Sequence, residues 1–166
     1  MILRRPSQTD KEAILEMMAE FEREQSAHDG GFWNPDNFVY EEWLETNMQK
    51  EMGINLPENR VPSIQFVSFD DVGRALGFLN LRLRLNEGLL NYAGHIGYSI
   101  RPSERGKGYA KEALHQGLQV AKEKNIHRAL VTCSIKNPAS RAVILANGGQ
   151  LEDIRHETER YWIDLE

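Results

Sequence analysis

Cysteine occurs once in these 166 residues, at Cys133, which excludes a disulfide framework and a thiolate metal cluster built from the chain itself. Long apolar runs are missing too. No stretch reaches the length that crosses a bilayer, and the opening MILRRPSQTD carries no hydrophobic segment behind its arginines. Neither a membrane partner nor a secretory leader is expected. Positive charge is in deficit, with 20 Lys and Arg against 25 Asp and Glu and a net charge of -5. That balance argues against nucleic acid, whose binding rests on phosphate neutralisation, and leaves room for a cationic small molecule or a peptide amine. Repeats, low-complexity tracts and Pro/Gly/Ser-rich linkers are absent as well. One domain over 1–166, in a soluble cytoplasmic protein, is the expectation.

What is present has clear periodicity. MILRRP reads as a short strand. In the helix that follows, Thr9 and Glu12 fit a capping box, and Ile14, Met17, Met18 and Phe21 share one face. SAHDGGFWNPDN is rich in breakers and reads as a loop, and a second helix is expected from about Phe38. SIQFVSF and ALGFLNLRLRL flank the hairpin turn DDVGR; a shift of apolar phase in the second strand predicts a bulge near Phe78. After the loop NEGLLN, YAGHIGYSI is another strand. Ala110, Ala113, Leu114, Gly117, Leu118 and Ala121 then form a helical stripe on which Gly117 permits close packing against a sheet. HRALVTC is a strand, Asn137 and Pro138 open a short helix that Gly148 ends, and two strands close the chain. The order is β-α-α-β-β-β-α-β-α-β-β. It implies an α/β (α+β) chain with a mixed, mostly antiparallel sheet of roughly six to seven strands and helices on both faces.

The stretch SERGKGYAKEAL places glycines and cations at the start of the stripe helix, where free backbone N–H groups and the helix dipole favour an anion. A P-loop would need G-x-x-x-x-G-K-[ST], but Lys107 lies between two glycines with no Ser or Thr after it. A dinucleotide fingerprint would need a third glycine where Lys111 stands. The pattern Q/R-x-x-G-x-G/A is satisfied in order by Arg105, Gly108 and Ala110.

With the flanking strand HIGYSIRP and the later run NPASRAVILANGG, the chain resembles the GNAT superfamily of N-acetyltransferases. The close match spans about Ala93 to Gly149, and the element order extends it across the chain. The resemblance implies the GNAT fold, acetyl-CoA as acyl donor without a metal, and direct transfer to a primary amine on a small molecule or peptide. It implies a pyrophosphate loop at Arg105, Gly106, Lys107, Gly108, Tyr109 and Ala110, in which a Cβ at either glycine would crowd the phosphate. Pantetheine would pair with the main chain of Tyr98, Ser99 and Ile100, where a backbone N–H would hold the thioester oxygen. Asn137, Ser140 and Arg141 would approach the cofactor, although Asn137 also has the form of an ordinary helix N-cap.

For the proton transfers, His95 is the candidate general base, near where some relatives carry a glutamate; packing is the competing role of a lone strand histidine. Glu87 and Glu104 are lesser candidates. Many relatives carry a tyrosine as acid seven residues after the asparagine; this chain has Ile144, which leaves water, Ser140 or another group for that task. Cys133 reads as a buried core thiol. Trp33 and Tyr92 would line the acceptor side, and His156 and Trp162 read as structural. A monomer or a homodimer paired through the terminal strand fits the sequence equally. A silent acyl-CoA-binding or sensory module on the same fold, and a nucleotide-binding protein, are the alternatives.

Overall fold

The computed structural model describes residues 1–166. Its elements are β1 (Ile2–Arg4), α1 (Lys11–Arg23), α2 (Tyr40–Met52), β2 (Ser63–Phe69), β3 (Ala75–Arg82), β4 (Ile96–Ile100), α3 (Tyr109–Glu123), β5 (Arg128–Ser134), α4 (Pro138–Ala146), β6 (Gln150–Arg155) and β7 (Thr158–Asp164). The order is the one the periodicity predicts. Seven strands form one open sheet, β1-β2-β3-β4-β5-β7-β6, antiparallel throughout except where β4 meets β5.

Helices cover both faces. Ile14, Met17 and Phe21 of α1 and Trp43 of α2 pack with Val67, Phe69 and Phe78 on one face. Ala113, Leu114, Leu118 and Ala121 of α3 pack with Leu79, Leu81, Val131 and Ile144 on the other. β2 and β3 lie between these layers, so nearly every residue in them is buried, whichever face it points to. Gly117 does what its place on the α3 stripe predicts: a Cβ there would lie 2.9 Å from Leu79 Cδ1, so its absence lets the helix sit close to the sheet.

Two local expectations are corrected, and the expected bulge near Phe78 is located. Ser7 and Asp10, rather than Thr9 and Glu12, form a box, and it closes the short turn Gln8–Asp10 that leads into α1. The Asp10 carboxylate accepts from the Ser7 N–H at 2.9 Å and is fixed by Arg4 of β1, which reaches it at 2.7 and 2.8 Å. The bulge in β3 falls at Leu76, because Phe69 pairs with Ala75 and Ser68 with Gly77. That slip puts Ala75 and Phe78, three positions apart, on the same α1 face, and ordinary alternation then gives Leu79 and Leu81 to α3. NEGLLN is not a plain loop: Leu89–Ala93 winds into a short wide helical turn.

Candidate functional site

The sheet splits between β4 and β5, which share a single registered pair, Ile96 with Val131. His95 sits at the root of the split. Its backbone N–H donates to Leu130 O at 2.7 Å, and its ring Nδ1 accepts from the Leu130 N–H at 2.9 Å, in place of a backbone carbonyl. Beyond Ile96 the strands diverge around a cleft of about 1010 Å³, lined on one side by Tyr98, Ser99 and Ile100 and on the other by Thr132, Cys133 and Ser134. Bonds from Arg82 N–H to His95 O and from Arg101 N–H to Leu76 O fix the odd-numbered residues of β4 as those facing β3. By the alternation of an antiparallel ladder, the main-chain groups of Tyr98 and Ile100 face the split.

At the far end of β4 the chain turns into residues 105–110 and then α3. Gly106 and Gly108 have φ of +77° and +85°, and a Cβ built on either meets nothing within 4 Å. Of the N–H groups of residues 106 to 111, none has an acceptor within the protein. These successive free donors, the last of them in the first turn of α3, form a concave anion site. Arg105, itself in the lining, fastens the loop by donating from Nε to Ile100 O at 2.8 Å and from Nη2 to Ser26 Oγ at 2.7 Å. Gly106, Gly108, Tyr109 and Ala110 line the cleft; Lys107 does not, being held by Glu104 at 2.8 Å.

α4 supplies the opposite wall. Asn137 caps it, accepting from the Ser140 N–H at 3.1 Å, and also lines the cleft, so both readings of this residue coexist. Tyr98 reaches across the split, its hydroxyl 2.8 Å from Ser140 Oγ. Burial pushes the Tyr98 phenol up to about 12, against a smaller opposing effect of the Ser140 hydrogen bond, so it keeps its proton at neutral pH. Ile144 is fully buried in the α3 layer, so its position offers no group to the cleft. Arg141 turns away to Glu159 at 2.8 Å and is not part of the lining. Cys133 is a buried thiol pushed up to about 12 by burial and by the neighbouring Glu159, to which it donates at 3.4 Å.

The loop of residues 26–33 closes one end of the cleft, with Ser26, Ala27, Asp29, Gly30 and Phe32 in its lining. Gly30 sits directly on β4: a Cβ there would fall 2.3 Å from Gly97 O. Ser99 Oγ donates to Asp29 O at 2.7 Å and Gln65 Nε2 to Gly30 O at 2.7 Å, fixing the seat. Trp33, expected to line this end, stacks on His28 at 3.8 Å, packs against Phe78 and donates to Glu22; Phe32 lines the cleft in its stead. Tyr92 is in the lining and half exposed, beside His156, also in the lining and exposed. Arg82, at the end of β3, is there too and has no carboxylate partner; nothing in the sequence singled it out.

His95 itself does not line the cleft and is 6% exposed. Burial first, and then the nearby Arg82 charge, push its imidazole down to about 4. Its geometry is that of a structural acceptor in the ladder. Of the lesser candidates, Glu104 lines the cleft but is tied to Lys107 and Arg74.

Residues 1–150 match the acetyltransferase (GNAT) domain family. No curated protein sequence matches the chain. Among solved structures, the fold is similar to that of a spermidine N-acetyltransferase, a SpeG chimera of Vibrio cholerae and hSSAT sequence. The TM-score is 0.63 at 18% identity, covering 99% of this chain and 97% of that one. A yncA protein of Salmonella typhimurium, described as a putative acetyltransferase with acetyl-CoA, has TM-score 0.63 at 16% identity, covering 99% and 94%. A phosphinothricin acetyltransferase of Sinorhizobium meliloti in complex with acetyl-CoA has TM-score 0.64 at 17% identity, covering 98% and 87%.

Proposed function

The chain belongs to the GNAT acetyltransferase family, and from that premise we propose that it is an N-acetyltransferase that carries acetyl from acetyl-CoA to a primary amine in a ternary complex. The observation that supports this reading best is the run of free N–H groups over residues 106 to 111, opening onto a split sheet. Those donors suit the pyrophosphate of coenzyme A, and the glycines leave it room to approach. Bound acetyl-CoA would supply a thioester whose carbonyl carbon an amine can attack.

The chain's own groups supply the rest. The Tyr98 N–H, directed into the split, would hold the carbonyl oxygen as negative charge grows on it. The Tyr98 and Ser140 hydroxyls, 2.8 Å apart, would serve the departing sulfur in place of the group that Ile144 cannot provide. A phenol near 12 does not fully protonate a thiolate whose thiol titrates at about 8.5, so Tyr98 stabilises it by donating a hydrogen bond. Asp29, His156 and Glu157 along the cleft are exposed, so the amine proton leaves to solvent.

Titration calorimetry tests the donor site. Wild type should bind acetyl-CoA, and Gly108→Val should lose that binding, since its φ of +85° and the open cradle both require glycine. Retained affinity would remove the loop from the assignment. Tyr98→Phe should lower kcat by about tenfold or more with little change in acetyl-CoA affinity, the scale of a lost transition-state hydrogen bond. A kcat within twofold of wild type would leave the sulfur to water. The buried Ile144 favours the second reading, an acyl-CoA-binding module without turnover; CoA release with no amine above the hydrolysis background would select it.

A further inference from the structure

We infer that the acceptor end of the cleft holds a carboxylate through Arg82, so that the acceptor is a primary amine bearing a carboxylate a few bonds away. The inference rests on the N-acetyltransferase reading and deepens it.

Arg82 is the one arginine withdrawn from solvent without an acidic partner. Arg4, Arg74, Arg101, Arg141, Arg155 and Arg160 are also withdrawn, and each holds an Asp or Glu carboxylate in an ion pair. The Arg82 guanidinium has long contacts from Nη1 to Ala93 O at 3.4 Å and to Gly94 O at 3.5 Å. Its Nε and Nη2 groups have no acceptor, and these are the donors of a guanidinium's bidentate fork. Half-withdrawn from solvent and in the cleft lining, those free donors are placed to meet an anion as a charge-assisted pair.

The position excludes the donor's phosphates as that anion. Arg82 lies beside the Ile96 end of β4, and the 105–110 loop follows the Ile100 end, about 13 Å further along the strand. Gly97 is the reason the guanidinium can lie against β4: a Cβ there would meet both Nη1 and Nη2 at 3.3 Å. The split begins at Ile96, so an anion held by Arg82 sits close to where the amine must enter. The charged groups that bear on Arg82 are Asp29, exposed and in the lining, and Arg60, exposed. Asp29 is not in an ion pair with Arg82; it is placed to attract the ammonium of an incoming zwitterion while Arg82 takes the carboxylate. A polyamine offers Arg82 only repulsion.

The experiment compares matched pairs: lysine with cadaverine, tyrosine with tyramine, phenylalanine with phenethylamine, and the N-acetyl product of each. Rates are read by thiol release, and product affinity by calorimetry on protein with and without saturating CoA, so the comparison does not depend on turnover. Wild type should favour at least one carboxylate-bearing member over its decarboxylated mate by roughly 10- to 100-fold, the range of charge-assisted hydrogen bonds. Arg82→Gln should bring that ratio to within about twofold, and Arg82→Lys should restore part of it, with acetyl-CoA affinity unchanged in both. Equal or inverted preference in every wild-type pair overturns the inference, as does a preference that survives in Arg82→Gln. Failure of acetyl-CoA itself to bind strikes the acetyltransferase reading instead, and the titrations without CoA still judge the carboxylate site.

Discussion

Gly30 decides where the loop over β4 rests. Its φ of +81° and the 2.3 Å approach of a built Cβ to Gly97 O leave no place for a side chain. Gly30→Ala should therefore cost about 2 kcal/mol or more, from left-handed strain and a clash with backbone that cannot rotate away. Urea denaturation would measure it; an unchanged midpoint would mean the loop carries no weight. His95 makes a second prediction with a definite sign. Its folded pKa of about 4 lies below the unfolded value near 6.5, so the unfolded chain binds the extra proton. The stability it contributes is present above 6.5 and lost as pH falls through 4, about 3 kcal/mol in all. His95→Gln, which keeps an acceptor for the Leu130 N–H, should flatten stability between pH 6.5 and 4. Turnover should keep the same pH profile in that variant, rising with deprotonation of the amine. A limb near 6.5 that vanishes with His95 would make it the base after all.

Between elements, the decisive links are polar and distant in sequence. Arg101, 1% exposed at the end of β4, is gripped by Glu16 and Glu20 of α1 and donates to Ala75 O at 3.0 Å. Glu20 also accepts from the Ser103 N–H and Oγ, both at 2.8 Å. Burial raises the Glu20 pKa, but the Arg101 and Ser103 hydrogen bonds together outweigh it and bring the carboxyl down to about 2. Its stabilisation holds above about pH 4.5 and fails as pH drops through 2. Glu20→Gln should cost about 3 kcal/mol at pH 7, since it takes from a buried guanidinium the one of its two carboxylates that is itself buried and leaves only the half-exposed Glu16, and the loss should shrink in acid. Chemical denaturation at both pH values checks it. None of this was readable from the sequence, because Arg101 and Glu20 lie 81 positions apart and follow no period. The helical stripes, the α4 cap at Asn137 and the close seat of Gly117 were readable, since each is a local pattern. Trp33 shows the limit of such patterns: an aromatic in a loop sits equally well in a core or at a substrate, and the stacking partner that decides it is invisible in one dimension.

At the scale of the molecule, the sheet is two half-sheets, β1–β4 and β5–β7–β6, that share one registered pair. In the free protein their amides should exchange with separate opening energies, and acetyl-CoA, bridging the split, should raise protection in both together. Exchange that responds in one half alone would mean the ligand does not span them. The glycine loop and element order made the donor side legible at the level of family. The acceptor side was not, because Arg82 becomes informative only when its missing partner is seen. That arginine has a further consequence. A guanidinium whose Nε and Nη2 find no acceptor adds little to the folded chain, so Arg82→Met should melt at the wild-type temperature or above it. A laboratory lineage selected for heat resistance alone would then be free to discard the residue, and with it whatever discrimination between acceptors it provides.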